Sequence, residues 1–96
     1  MTKEIILQQL KHFKTTANPK YPIGAIGLFG SYARGENTEL SDIDILVHFN
    51  NQIGWEYFDF ADELKKLFHH HKVDVVSKNA IPAMYWELIK NEVLYV

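Results

Sequence analysis

The apolar residues near the start of the chain repeat with the period of a helix. Ile6, Leu10 and Phe13 fall on one side of a helix over residues 2–14, with Thr2 as its N-cap. The polar segment "KTTANPKYPIG" that follows contains two prolines and a glycine, which predicts a loop. We therefore expect the first element to be an amphipathic helix whose apolar side packs against the rest of the fold.

Three shorter segments have the character of strands. "AIGLF" is continuously apolar, "SDIDILVHF" alternates at its start, and "KVDVVS" is rich in β-branched residues. Gly30-Ser31 ends the first strand, and "SYAR" is expected to form a helical turn before Gly35. The final segment, "EVLYV", is predicted to be extended.

Two further helices are predicted around the third strand. The first runs from Trp55 to about Phe68, and its apolar face consists of Tyr57, Phe60, Ala61, Leu64 and Phe68. The second starts near Asn79 and Pro82, with Tyr85, Leu88 and Ile89 facing inward. The alternation of helices and strands predicts an α/β (α+β) fold in one domain, residues 1–96.

Composition and charge narrow the class of protein. With 96 residues, 47% of them hydrophobic, the chain can build one modest core. A net charge of −2 provides no strong basic field for nucleic acid. The chain has no cysteine and no apolar run near the roughly 20 residues that span a bilayer. These features favour a soluble, cytoplasmic protein.

Asp42 and Asp44 interrupt a strand that is otherwise built for burial. Side chains two apart on a strand project from the same face, roughly 6.5–7 Å apart, so Ile43 and Ile45 point to the core. Two neighbouring carboxylates repel each other unless cations lie between them. Mg²⁺ prefers one or two carboxylates plus waters and substrate phosphates, so the two aspartates are candidate Mg²⁺ ligands.

The segment before these aspartates is suited to a phosphate group. A glycine at a strand end, Gly30, lets the backbone approach a ligand closely. If Ser31 opens a short helix, its free N–H groups and its hydroxyl are phosphate donors, and Arg34 lies one turn further on. Each feature alone is more often a turn or a surface arginine, and only their combination with the two aspartates indicates a nucleotide site.

A third carboxylate, Asp74, lies between valines in "VDVV". A charge in that setting is costly unless it has a partner. If this strand lies beside the Asp-bearing strand, Asp74 shares a face with Asp42 and Asp44. It is then a candidate metal ligand and a candidate base for an attacking hydroxyl.

Several other residues allow two interpretations. His48 alternates in phase with the aspartates and either lines the far edge of the site or is a partly buried structural histidine. Tyr32 either contacts a nucleotide or partner or is a plain surface tyrosine. The aromatic residues of the third helix cannot all face inward, so one or two of them are expected to be exposed. These four aromatic residues are Trp55, Tyr57, Phe58 and Phe60.

The motif "GSYARGENTELSDIDILVHF" resembles the G-S-x-A-R-G…S-D-x-D signature of the minimal nucleotidyltransferase family, within the DNA polymerase β-like superfamily. "VDVVS" and the later "I…E…VLYV" also resemble that family's ending. The resemblance implies a small mixed sheet flanked by helices and Mg²⁺-dependent transfer of a nucleoside monophosphate from a triphosphate. It assigns the triphosphate to Gly30 and Ser31, two Mg²⁺ ions to Asp42 and Asp44, and one ion plus the role of base to Asp74. Arg34 also belongs to the pattern.

Members of this length are similar to the antitoxin half of prokaryotic toxin–antitoxin pairs. The resemblance implies transfer of AMP from ATP to a tyrosine of a HEPN-type toxin encoded nearby. Two alternatives stay open: a transferase for a small molecule such as an aminoglycoside, and a nucleotide-binding antitoxin without catalysis. A homodimer could supply the second wall that a small-molecule site needs, whereas the three intact aspartates count against a purely binding role.

Overall fold

In a computed structural model, residues 1–96 form four helices and four strands. The elements are α1 (Lys3–Ala17), β1 (Ile23–Phe29), α2 (Gly30–Arg34), β2 (Ile43–Phe49), α3 (Glu56–Leu67), β3 (Val73–Ser77), α4 (Ala83–Ile89) and β4 (Leu94–Tyr95). The predicted α/β class is confirmed, and so is the order of elements. None of the helices is long and apolar enough to cross a membrane.

The four strands form one mixed sheet in the order β3-β2-β1-β4. β1 is antiparallel to both β2 and β4, whereas β2 and β3 are parallel. Parallel neighbours need a crossover connection, and α3 provides it. As a result, β2 and β3 both start at the same end of the sheet.

One face of the sheet carries the main core. Its cluster of 17 buried residues includes the apolar sides of α1 and α3, as their spacing predicts. Phe60 lies at its centre, with edge-to-face contacts to the rings of Phe13, Tyr21 and Phe49 at centroid distances of 5.2–5.6 Å. Such pairs add to the stabilisation that burial of each ring provides.

The opposite face has much less cover. Its buried cluster consists of Phe29, Leu46 and Ile89, the last from α4. Strand alternation places Leu46 and Asp44 on this face, while Ile43 and Ile45 point into the main core. The burial of alternate β2 residues therefore agrees with the predicted direction of the aspartates.

The boundaries of the first elements differ from the prediction. α1 continues to Ala17, which is buried against the core, so tertiary packing carries the helix past two threonines. β1 begins at Ile23 rather than Ala25, and the predicted loop is correspondingly shorter. β2 begins at Ile43 rather than Ser41, because Ser41 belongs to a turn in which its hydroxyl accepts a hydrogen bond from the Thr38 N–H at 2.8 Å.

The predicted inward face of α4 is wrong. Leu88 is 76% exposed and Tyr85 38% exposed, so only Ile89 of the three is buried. Trp86, three residues before Ile89, packs with it against the sheet, so the inward stripe is rotated by one position. Asn79 does not start the helix; its side-chain amide exchanges two hydrogen bonds with the backbone of Phe49, at 3.0 and 3.1 Å.

Candidate active site

The sheet register places two of the predicted site residues side by side. Asp44 on β2 and Asp74 on β3 are direct register partners, so their side chains project from the same face of neighbouring strands. On the other side of Asp44, its register partner is Phe29, the last residue of β1. One end of the sheet therefore places, side by side, Asp74, Asp44 and the β1–α2 junction.

Gly30 lies directly against Asp44. Its φ of 77° is in the left-handed region that L side chains rarely adopt. A Cβ atom at this position would overlap the Asp44 carboxylate. Both the backbone conformation and the lack of space require a glycine here, so the close approach that the sequence predicts for Gly30 is directed at Asp44.

The Asp44 carboxyl has an unusual affinity for protons. Its pKa is raised from the ordinary 3.8 to about 6, mainly by burial and then by the negative charges of Asp74 and Asp42. The nearby Arg34 guanidinium opposes the shift, while Glu92 adds to it. The end of the sheet therefore carries excess negative charge that a cation would neutralise.

Asp42 lies just before β2 and is less enclosed than Asp44. Its Oδ2 is 3.9 Å from the ammonium of Lys72, in an exposed ion pair. No three side chains among His, Cys, Asp and Glu are gathered closely enough to hold a metal ion by themselves. The structure thus brings Asp44 and Asp74 together, with Asp42 close enough to influence Asp44 electrostatically, but it does not form a closed three-ligand cage.

The donors at this site nevertheless suit Mg²⁺. Carboxylate oxygens are hard ligands, and Mg²⁺ commonly binds one or two of them while waters and substrate phosphates complete its coordination. The raised pKa of Asp44 reflects burial first, and then repulsion from Asp74 and Asp42 that a divalent cation would remove. Asp42, Asp44 and Asp74 are accordingly the residues that would hold the ion.

The phosphate donors predicted from the sequence lie at the start of α2. Gly30 and Ser31 are its first two residues, and Ser31 is half-buried. Arg34, in the same short helix, binds two carboxylates: Nε donates to Glu36 at 2.8 Å and Nη1 to Glu92 at 2.9 Å. Glu92 also accepts a hydrogen bond from the Gly30 backbone N–H at 2.6 Å.

Sequence reasoning missed two residues near these groups. Glu92 belongs to the family-like ending of the sequence, and its contact with Gly30 joins two segments that are 62 residues apart. Tyr85 was placed in the core, yet its phenol lies near the site. Burial raises the pKa of Tyr85, and the charges of Asp44, Asp74 and Glu92 raise it further. The alternation of polar and apolar residues gives no signal for either position.

The two residues left open have different environments. Tyr32 is not a surface tyrosine, because it is 4% exposed and packs in the main core. His48 is half-buried near the C-terminal end of β2, two residues beyond the buried Leu46 and away from Asp44. The structure therefore places His48 outside the acidic end of the sheet.

The exposed aromatic residues lie at the opposite end of β2 and β3. Trp55 is 85% and Phe58 60% exposed, which confirms that part of this group faces outward, whereas Phe60 is buried. A groove of about 850 Å³ runs beside Phe58, and Phe49 and Ser77, the last residues of β2 and β3, line it. This groove is separate from the aspartates, which lie where the two strands begin.

Comparison with known proteins identifies the class. The family described as "Polymerase beta, Nucleotidyltransferase" matches residues 11–96. The chain belongs to this polymerase β nucleotidyltransferase family and is a nucleotidyltransferase. The resemblance inferred from the Gly-Ser and Asp-x-Asp motifs is thereby confirmed.

The relatives narrow this class further. MJ1379 of Methanocaldococcus jannaschii, named as a candidate protein adenylyltransferase, is 41% identical over 95% of this chain and 94% of its own. Protein adenylyltransferase MntA of Thermococcus cleftensis is 33% identical over the whole chain and 97% of its own. A solved complex of tri-AMPylated Shewanella oneidensis HEPN toxin with MNT antitoxin matches with a TM-score of 0.70. That match covers 98% of this chain and 71% of the other at 18% identity, so it supports the fold alone.

Proposed function

We propose that this protein transfers AMP from ATP to a tyrosine hydroxyl of a HEPN-type toxin and thereby acts as its antitoxin. The observation that carries the proposal is the register pairing of Asp44 with Asp74 beside Gly30, in a chain whose relatives are named protein adenylyltransferases. The choice of a HEPN-type partner follows a solved neighbour of the same fold, in which an MNT antitoxin binds an AMPylated HEPN toxin.

The residues divide into a phosphate-binding and an acidic group. Gly30 and Ser31 hold the triphosphate through backbone and hydroxyl donors, and Arg34 adds a positive charge. Asp42, Asp44 and Asp74 would hold Mg²⁺, which when bound would neutralise charge on the phosphates during in-line displacement. This division gives a role both to the three aspartates and to the arginine at one end of the sheet.

The reaction exchanges one bond to phosphorus for another. The tyrosine oxygen of the partner attacks the α-phosphorus, the bond to the β-phosphate oxygen breaks, and pyrophosphate leaves. Asp74 accepts the phenolic proton, which is held with an ordinary pKa of about 10, so a base near the hydroxyl is needed at neutral pH. Its place on an edge strand, with its side chain exposed, leaves Asp74 open to a protein acceptor.

The test is intact-mass measurement after incubation with ATP, Mg²⁺ and the HEPN-type protein encoded beside this chain. We expect additions of AMP to the partner, located on tyrosine by fragmentation. Asp74→Asn should lower the rate by roughly 10²–10⁴-fold because the variant lacks the general base. Asp62→Asn is the matched control, since Asp62 is an exposed aspartate on α3 away from the site.

Three outcomes would contradict the proposal. A partner that gains no mass with the wild-type chain would show that it is not the substrate. Equal rates for Asp74→Asn and Asp62→Asn would remove Asp74 from the chemistry. Full neutralisation of the toxin by Asp44→Ala would favour an antitoxin that acts by binding alone.

A further inference from the structure

Glu92 occupies the donors that face the proposed nucleotide. A single carboxylate oxygen, Oε2, accepts from the Gly30 N–H at 2.6 Å and from Arg34 Nη1 at 2.9 Å. Only 23% of the Glu92 side chain is exposed, against 65% for Glu36, the other carboxylate on Arg34. The contact is therefore a partly buried, charge-assisted one, which is the stronger kind of hydrogen bond.

The position of Glu92 is set by anchors on both sides. Its backbone N–H donates to the carbonyl of Ile89 at 3.0 Å, and Ile89 is buried against Phe29 and Leu46. Two residues later, Leu94 pairs with Leu28 at the edge of the sheet. The carboxylate consequently reaches Gly30 from a short segment that is fixed at each end.

The negative charge of Glu92 lies in a region that is already negatively charged. It lies near enough to Asp44 to raise the pKa of that carboxyl, in a region that already has Asp42 and Asp74. A fourth carboxylate here is stable only because the Gly30 amide and the Arg34 guanidinium stabilise it. Those two groups are also the ones assigned to the triphosphate, and a carboxylate and a phosphate both present anionic oxygens to such donors.

We propose that Glu92 is an internal competitor of the nucleotide: its carboxylate must leave Gly30 and Arg34 before the triphosphate binds there. This inference rests on the proposed function, which assigns those donors to the triphosphate. The apparent affinity for the nucleotide is the intrinsic affinity multiplied by the fraction of molecules in which Glu92 has left these donors. The competition weakens only ligands that bind through a polyphosphate, and it leaves ligands without phosphate unaffected.

The test compares nucleotide binding by the full chain and by Glu92→Gln. The amide oxygen of glutamine can still accept from Gly30, but the ionic attraction to Arg34 is gone. We expect binding of the ATP analogue AMP-PNP with Mg²⁺, measured by isothermal titration calorimetry, to tighten roughly tenfold, the scale of one charge-assisted hydrogen bond. Tripolyphosphate should gain similarly, whereas adenosine should gain nothing.

Two further variants isolate the cause. Glu36→Gln removes the same charge from the same arginine, but Glu36 is exposed and does not contact Gly30, so we expect a much smaller gain. Glu92→Asp keeps the charge but shortens the side chain by one methylene, which withdraws it from both donors, and its affinity should fall between wild type and Glu92→Gln. Glu92→Asp also provides the test if the glutamine variant does not fold.

The result that overturns the inference is a Glu92→Gln affinity equal to or weaker than wild type, or a gain no larger than that of Glu36→Gln. An equal gain for adenosine would also overturn it, because exchange at the phosphate donors cannot act on a ligand without phosphate. If wild type transfers AMP while these affinities stay unchanged, only the inference fails. If neither wild type nor any variant binds AMP-PNP, the assignment of the triphosphate to these donors fails as well.

Discussion

The two faces of the sheet differ in how completely helices cover them. One face lies under α1 and α3, of 15 and 12 residues, with 17 buried residues between the layers. The other lies under α4, of seven residues, with a buried cluster of three. Alternate residues of β2 point to opposite faces, so Ile45 packs in the main core while its neighbour Asp44 points to the less covered face. The comparison indicates that stability depends mainly on one face, while the candidate active site lies on the other.

The largest expected effect is on the less covered face. Asp44→Asn should lower AMP transfer roughly 10³-fold or more, because it removes charge that faces the reacting phosphates. Its melting temperature should stay at or above that of wild type, because no core contact is lost. Transfer assays and a thermal melt on the same sample check this. A collapsed melt would show that the two faces are not separable.

The converse change is on the covered face. Phe60→Ala should cost about 3–5 kcal/mol of unfolding free energy, since it empties the centre of an aromatic cluster. Urea denaturation measures it. Phe58→Ala, on the same helix but 60% exposed, is the control and should cost far less. Similar losses for both would mean that the core is not centred on Phe60.

The pH dependence of stability should sharpen the contrast. The folded pKa of Asp44 is about 6, above its ordinary value of 3.8, so the folded state binds this proton more tightly than the unfolded state. The stabilisation is present below about pH 4 and is lost as the pH rises through about 6. In chelator, the melting temperature of wild type should therefore fall relative to Asp44→Asn across this range.

Two observations would count against this account of the pH effect. One is a constant difference in melting temperature between the two proteins from pH 4 to 7. The other is a wild-type melting temperature that Mg²⁺ does not raise at pH 7, since cation binding to the ionised carboxylates should stabilise the folded state.

The smallest effect concerns the rotation of α4. Leu88→Asn should change the unfolding free energy by no more than about 0.5 kcal/mol because Leu88 is 76% exposed. Ile89→Ala, one residue later and buried, should cost about 2 kcal/mol or more. Chemical denaturation of the pair decides between the two rotations. A larger loss for Leu88 would restore the inward face that the sequence predicts.

Local sequence patterns were sufficient for much of the fold and of the acidic group. Ile6, Leu10 and Phe13 repeat at helical spacing on a long helix, so the buried side of α1 could be read directly. The alternation around Asp44 likewise fixed its face. The pairing of Asp74 with Asp44 follows from the sequence only if β3 lies beside β2. Local patterns do not show which strands are neighbours.

The remaining errors come from long-range contacts. In α4 both Tyr85–Leu88 and Trp86–Ile89 satisfy helical spacing, and only the presence of Phe29 and Leu46 beneath the helix selects the second pair. Glu92 meets Gly30 because β4 returns to β1, which no local pattern encodes. The short turn at Tyr32 gave no indication that its ring would enter the main core.

The crossover between β2 and β3 also delays completion of the site during synthesis, because α3 lies between Asp44 and Asp74 in the sequence. A nascent chain emerging from the ribosome presents Gly30 and Asp44 first, while Asp74 arrives only after all of α3. β3, which contains Asp74, then pairs with β2 and has no strand on its other side. The pair of carboxylates is complete only when translation has passed β3, so unfinished polypeptides lack it.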